Sequence, residues 1–132
     1  MPYLQYPIRY LEFNDFKIND DSVDIINKEI LNSGKKTLIM LQGDFCHWCT
    51  KAKPEYQDFG NKYGNDLYVT TIQADGKEEG EQGFSDNNFL NKIAPGFVGF
   101  PTYVLYDSKG KYLKTHEGKR TSDALDEFCK SS

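Results

Sequence analysis

The chain of 132 residues is one domain's worth of polypeptide, long enough to bury a conventional core without a disulfide scaffold or a structural metal. Apolar residues make up 38%, charged residues 27% and aromatics 14%, a balance that excludes a disordered chain. A net charge of −4 with a pI near 5.1 argues against nucleic acid as a partner, and no apolar run approaches the roughly 18–20 residues of a membrane span.

Residues 1–9 carry Pro2 and Pro7 and read as a peripheral, extended N-terminal extension; the aromatic run at 10–13 suits a strand. Asp20, Asp21 or Ser22 can cap a helix in which Val23, Ile26 and Ile30 recur at spacings of three and four, predicting a helix over 22–32. The unbroken apolar run at 37–42 predicts a central strand covered on both faces. After Phe45 a helix is expected to run to about Lys62, kinked at Pro54, where a backbone donor is missing. Residues 67–72, rich in β-branched and aromatic side chains, predict another central strand. The acidic, glycine-rich tract at 76–85 reads as a solvated loop, 86–93 as a short helix and 94–101 as loop. Residues 102–106 and 111–116 flank an Asp-Ser-Lys-Gly turn and predict a β-hairpin. Thr121 or Ser122 caps a last helix that directs Leu125, Phe128 and Cys129 inward. Alternating strands and helices followed by a hairpin give a single mixed α/β sandwich over 1–132.

The pair Cys46–Cys49 falls where a buried strand gives way to a helix. Unpaired N–H groups and the macrodipole at a helix start favour an anion, so Cys46 is expected to be a thiolate nucleophile with a pKa in the roughly 3.5–7.5 range of reactive thiols. Cys49, one turn further in, is the expected resolving thiol. His47 would add positive charge when protonated and make the disulfide more oxidising, and Trp48 offers a flat apolar surface for an extended substrate. A single Cys-x-x-C supplies only two of the four ligands that zinc takes, so no metal is expected. Cys129 reads as a buried inert thiol and His116 as a surface residue.

The stretch Leu38-Ile-Met-Leu-Gln-Gly-Asp-Phe-Cys-His-Trp-Cys-Thr-Lys-Ala-Lys-Pro54 resembles the active-site strand and helix of thioredoxin, and Gly99-Phe-Pro-Thr-Tyr-Val-Leu-Tyr106 is similar to the strand that opens with the family's cis proline. Gly118 matches the glycine after the last strand, so the resemblance runs from about Tyr10 to Cys129. It implies a thioredoxin-like three-layer α/β/α sandwich and a thiol–disulfide oxidoreductase. Its substrate cleft would combine Phe45, Trp48, Phe100, Pro101 and Gly118. No cofactor is expected beyond the Cys46–Cys49 disulfide itself. The expected partners are disulfide-containing proteins and a separate reductase or small-thiol donor; no nucleic acid and no membrane are expected. A cytoplasmic monomer is expected, because no signal peptide is apparent. The family's buried acid falls at Met40 and its lysine partner at Thr71, so the usual proton relay is missing, leaving Asp44, His47 or water to substitute. Phe45 stands where the family has Trp, and about ten extra residues near 76–85 mark a diverged member. A polypeptide-binding adaptor of the same fold, weak in redox chemistry, is the alternative.

Overall fold

The apolar run after Lys35 forms the strand around which the other elements are arranged. In a computed structural model, residues 4–20, 22–76, 79–97 and 99–131 are described. Strands β1 (Arg9–Tyr10), β2 (Phe16–Ile18) and β3 (Val23–Ile25) precede helix α1 (Lys28–Asn32) and strand β4 (Lys36–Gln42). Helix α2 (His47–Tyr63), strand β5 (Leu67–Gln73) and helix α3 (Asn87–Ile93) follow, then β6 (Thr102–Tyr106), β7 (Tyr112–Thr115) and α4 (Ser122–Lys130). The main sheet has the order β1-β5-β4-β6-β7, with β1, β5 and β4 parallel and β6 and β7 antiparallel.

Side chains alternate across a strand, and β4 is apolar from Leu38 to Leu41, so it serves two cores at once. Leu38 and Met40 join Ala52, Tyr56 and Phe59 of α2 and Leu125 and Cys129 of α4 on one face. Ile39 and Leu41 join Ile30, Leu90, Ile93 and Val104 on the other. The result is the three-layer α/β/α sandwich with a C-terminal antiparallel hairpin. Tyr56 is fully buried, and its hydroxyl donates to the Thr70 carbonyl at 2.6 Å and the Leu38 carbonyl at 3.2 Å, locking α2 onto β4 and β5. Among the described residues no helix is long and apolar enough to cross a membrane.

Three local expectations are corrected. The segment expected as one helix over 22–32 is strand β3 and then a short helix. Val23 and Ile25 are buried on either side of the half-buried Asp24, a period of two, and pair with Ile18 and Phe16 of β2. The helix cap is Asn27, whose side chain accepts from the Ile30 N–H at 3.1 Å, while Ile26, counted as inward, is 45% exposed. Asp21, one of the three expected caps, lies outside the described residues. The extension at 1–9, expected to be peripheral, reaches the core at two points: Leu4 and Ile8 are each 5% exposed and pack in the α2–α4 core, while Tyr6 between them is 92% exposed. Gln57 of α2 fixes it, accepting from the Gln5 N–H at 2.6 Å and donating to the Gln5 carbonyl at 3.1 Å. Residues 1–3 lie outside the described set. The tract read as a solvated loop holds a 3-10 helix, Glu79–Ser85, with Phe84 fully buried between Phe16 and Phe89, each 6.0 Å away between ring centroids. Its composition is that of a loop, but one aromatic anchors it. Lys77 and Glu78 lie outside the described residues.

Candidate active site at the head of α2

Helix α2 begins where β4 leaves the sheet, and the connection is a tight turn. Asp75, following β5, accepts hydrogen bonds from the Asp44 N–H at 3.1 and 3.0 Å and from the Phe45 N–H at 3.3 Å. Gly43 leaves room there for the Phe45 ring, which a Cβ would force to move. The Cys46 N–H then closes onto the Gly43 carbonyl at 3.2 Å, which places Cys46 at the N-cap.

At that position a side-chain acceptor satisfies one of the orphan N–H groups of the first turn. Here the acceptor is sulfur: the Cys49 N–H donates to Cys46 Sγ at 3.1 Å. Cys46 retains 9% of its surface, whereas Cys49 has none. The Cys49 thiol is pushed up to about 12, first by burial and then by its contact with Cys46, while the Gly43 backbone and Lys53 pull the other way. Cys129 is pushed up to about 12 by burial on α4. The two thiols of the pair are therefore inequivalent in access, and the third sits in the core.

The expected cleft residues fall into two groups. Phe45 and Trp48 project into solvent at 66% and 58% exposure, the two largest apolar side chains presented beside the sulfurs. Phe45 meets Phe100 edge-to-face at 5.4 Å, and Phe97 meets Phe100 at 5.1 Å, joining the loop before β6 to the head of α2. The Phe100–Pro101 peptide is cis and Pro101 is buried. His47 is exposed as the first residue of α2, its ring 5.8 Å from that of Trp48. Gly118 lies in the turn after β7 with φ +143°, a conformation that side chains disfavour, and its neighbour is His116 rather than the cysteines. His116 is half-buried and not a free surface residue: its Nε2 lies 2.7 Å from the Lys119 carbonyl and its ring packs on Phe128 at 4.8 Å.

Met40 and Thr71 are register partners in the sheet, and the Thr71 hydroxyl donates to the Met40 carbonyl at 2.8 Å. No ionisable side chain occupies either position. A polar group that sequence reading passed over lies beside them. Lys53, only 1% exposed, pairs with Asp44 at 3.3 Å, and Gln73 donates to the other Asp44 oxygen at 3.0 Å. The signal was present: Cys49, Lys53 and Tyr56 follow one another at spacings of four and three on the inner face of the helix. Asp75, which anchors the turn, carried no comparable signal. Among the described residues no group of three or more His, Cys, Asp or Glu side chains is placed to hold a metal ion.

Comparison with known proteins supplies the family. The chain is 44% identical over 115 residues to the thioredoxin-like protein 453L of Invertebrate iridescent virus 6, covering 79% of this chain and 78% of that one. It is 26% identical over 114 residues to the sporulation thiol-disulfide oxidoreductase A of Bacillus subtilis, covering 75% of this chain and 69% of that one. Human ERp44 superposes with a TM-score of 0.64 at 17% identity, over 98% of this chain and 31% of the larger protein, a likeness of fold. Residues 24–131 match the family described as thioredoxin-like domain, and the chain belongs to that family.

Proposed function

We propose that the protein is a thiol–disulfide oxidoreductase that exchanges a Cys46–Cys49 dithiol or disulfide with protein substrates. The observation that carries the reading is Cys46 Sγ at the N-cap of α2, accepting a backbone N–H at 3.1 Å with Cys49 buried behind it. Negative charge on that sulfur is favoured by the donors of the first turn and by the helix dipole. The relatedness to a thiol-disulfide oxidoreductase and to yeast protein disulfide-isomerase, each 26% identical, supports the same chemistry.

In the reductive direction the Cys46 thiolate attacks one sulfur of a substrate disulfide. The substrate S–S bond breaks, one substrate sulfur leaves as thiolate, and Cys46 is held in a mixed disulfide. Cys49, deprotonated at this step, attacks Cys46 Sγ; the Cys46–Cys49 bond forms and the second substrate sulfur leaves. Two electrons pass from the pair to the substrate, and the departing thiolates take up protons from water. A separate reductase or a small thiol returns the pair to the dithiol. Phe45, Trp48 and Phe100 offer the apolar surface for the substrate chain, beside the backbone at Phe100 and Pro101. His47 at the helix start favours the thiolate and hence the reduced pair, giving a potential less reducing than the roughly −270 mV of thioredoxin.

The test is reduction of insulin by dithiothreitol followed as turbidity: the wild type accelerates it and Cys46→Ser does not. Equal rates would instead support the second reading, a redox-weak polypeptide-binding module, which the exposed Phe45 and Trp48 and the non-ionisable Met40–Thr71 pair favour. Replacing Cys49 with Ser should trap substrates covalently on Cys46, and none would appear if the roles are assigned wrongly.

A further inference from the structure

Resolution demands a thiolate from the sulfur least able to form one. Cys49 is sealed under the helix start, and the pair of ionisable side chains that would accept its proton is replaced by Met40 and Thr71. We propose that Lys53, anchored by Asp44, is a positioning residue for this step: its buried ammonium stabilises the Cys49 thiolate while Cys49 attacks the mixed disulfide. The proposal rests on the oxidoreductase reading above.

Geometry carries it. Lys53 is one helical turn beyond Cys49, so the two share a face, and helix side chains lean toward the N-terminus. Asp44 lies upstream of the helix, and the Lys53 stem must therefore run back along the flank of Cys49 to place Nζ 3.3 Å from Asp44 Oδ1. A lysine with 1% exposure is costly to bury, and the Asp44 carboxylate it pairs with is itself 45% exposed. An aliphatic residue would fill the site with less desolvation. The surroundings are polar beyond the ion pair: Gln73 donates to Asp44 at 3.0 Å, and its register partner Gln42 is fully buried with neither amide atom hydrogen-bonded. Gln42 lies two residues beyond Met40 and so shares the face turned to α2.

The timing also fits. Of the influences that raise the Cys49 thiol, two come from Cys46, through its hydrogen bond and its charge. Both vanish when Cys46 is tied up in a mixed disulfide, leaving burial opposed by the Gly43 backbone and by Lys53. Among the described residues, the other titratable or charged groups around the pair include His47, Lys51 and Glu55 on α2, Asp44 and Asp75 in the loops after β4 and β5, the buried Glu81 beside Gly76, Tyr103 on β6 and Arg120 after β7. Only Lys53 among them is a buried cation. The step balances as follows: the Cys49 proton goes to water, the Cys49–Cys46 bond forms as the Cys46–substrate bond breaks, and the substrate leaves as thiolate.

The experiment loads Cys46 with glutathione and follows its release by Cys49 against pH in wild type, Lys53→Met and Lys53→Arg, with thermal unfolding recorded for each. For every unit by which the Cys49 midpoint rises, the rate near neutrality falls about 4-fold, because the tenfold loss of thiolate is partly offset by greater intrinsic nucleophilicity. Lys53→Met is expected to raise the midpoint by at least one unit, and Lys53→Arg, which keeps the charge, to restore it. A folded Lys53→Met protein with the wild-type midpoint overturns the proposal. Should the Met variant not fold, Lys53→Gln, which keeps a polar head without the charge, takes its place, and the Cys49 β-carbon is titrated by NMR in Cys46→Ala with and without it: equal midpoints overturn the proposal equally. Failure of wild type to form or resolve the mixed disulfide at all sinks the oxidoreductase reading instead.

Discussion

Alkylation of the native, reduced protein reads the inequivalence of its three thiols directly. An ordinary thiol with a pKa of 9.0 is about one-tenth thiolate at pH 8, whereas Cys49 and Cys129, both pushed up to about 12, hold about one part in ten thousand. The thousandfold loss of thiolate is partly recovered because nucleophilicity rises with pKa, with a Brønsted slope of roughly 0.4–0.5, so each should react about 40-fold more slowly than in the unfolded chain. Burial slows them further, since Cys49 has no accessible surface and Cys129 retains 6%. Iodoacetamide at pH 8, with the sites located by peptide mass spectrometry, should therefore place one label, on Cys46, in the native protein and three in urea. Labelling of Cys49 or Cys129 in the native protein at a rate within a few-fold of the unfolded chain would refute the reasoning, because the asymmetry on which the order of attack depends would be absent.

Burial pushes Tyr56, Tyr103, Tyr106 and Cys129 upward, so in the oxidised protein stability is complete below the unfolded values of 10.0 and 9.0 and declines as pH rises through them, the unfolded chain releasing its protons first. At pH 10 each tyrosine contributes a loss of about 0.4 kcal/mol and the cysteine about 1.4, roughly 3 kcal/mol in all, and urea unfolding at pH 7 and pH 10 should show it; a loss below about 1 kcal/mol would contradict the burial. Ile8→Ala should destabilise by about 2–5 kcal/mol in the same assay if the N-terminal segment is core, and by less than about 0.5 if it is peripheral. Trp48→Ala combined with Phe45→Ala should lower kcat/KM for insulin several-fold more than for glutathione disulfide, and equal losses would remove the aromatic rim from substrate binding.

The parts of the fold read correctly from sequence are those in which local pattern and tertiary demand agree. Leu38 to Leu41 are apolar at each position because β4 is covered on both faces, and a solvated strand could not carry them. The helix start at Cys46 was legible for the same reason: a buried strand must end, and Gly43 with Asp44 ends it. Val23, Ile26 and Ile30 misled because spacings of three and four are shared by chance with an alternating strand that happens to precede a short helix. What separates the readings is the pairing of Phe16 with Ile25 between β2 and β3, a tertiary fact with no local trace. Leu4 and Ile8 were set aside because prolines flank them, and their partners, Phe59 and Gly60, lie some fifty residues onward. A Cβ on Gly60 would come within 2.7 Å of Ile8, so the groove exists only because that helix position is glycine. At the site the cysteines and their neighbours are visible as a motif and Lys53 by its helical spacing from Cys49, whereas Asp75 and the Lys53–Asp44 pairing are not, because their importance lies in which backbone or carboxylate they reach.

In the proposed thiol–disulfide exchange, with Cys46 as nucleophile and Cys49 as resolving thiol, the arrangement separates two demands that conflict at a single sulfur. A nucleophile has to be reachable, and a resolving thiol has to be hidden from everything except the bond it is meant to break. Cys46 meets the first as an N-cap on a turn fixed by Asp75, with aromatic surface on either side; Cys49 meets the second by lying one turn inward against β4. Hiding a thiol in this way raises the cost of ionising it, so a site that turns over needs compensation held on the buried side, where water cannot deliver it. A dipeptide between the cysteines can tune the outer sulfur but cannot reach the inner one, since His47 and Trp48 both face solvent. Compensation therefore has to come from the inner face of α2 or from the sheet beneath it. With Met40 and Thr71 unable to ionise, the buried cation at position 53 is the group placed to provide it, and its effect on the second step rather than the first is what distinguishes that role from a purely structural one.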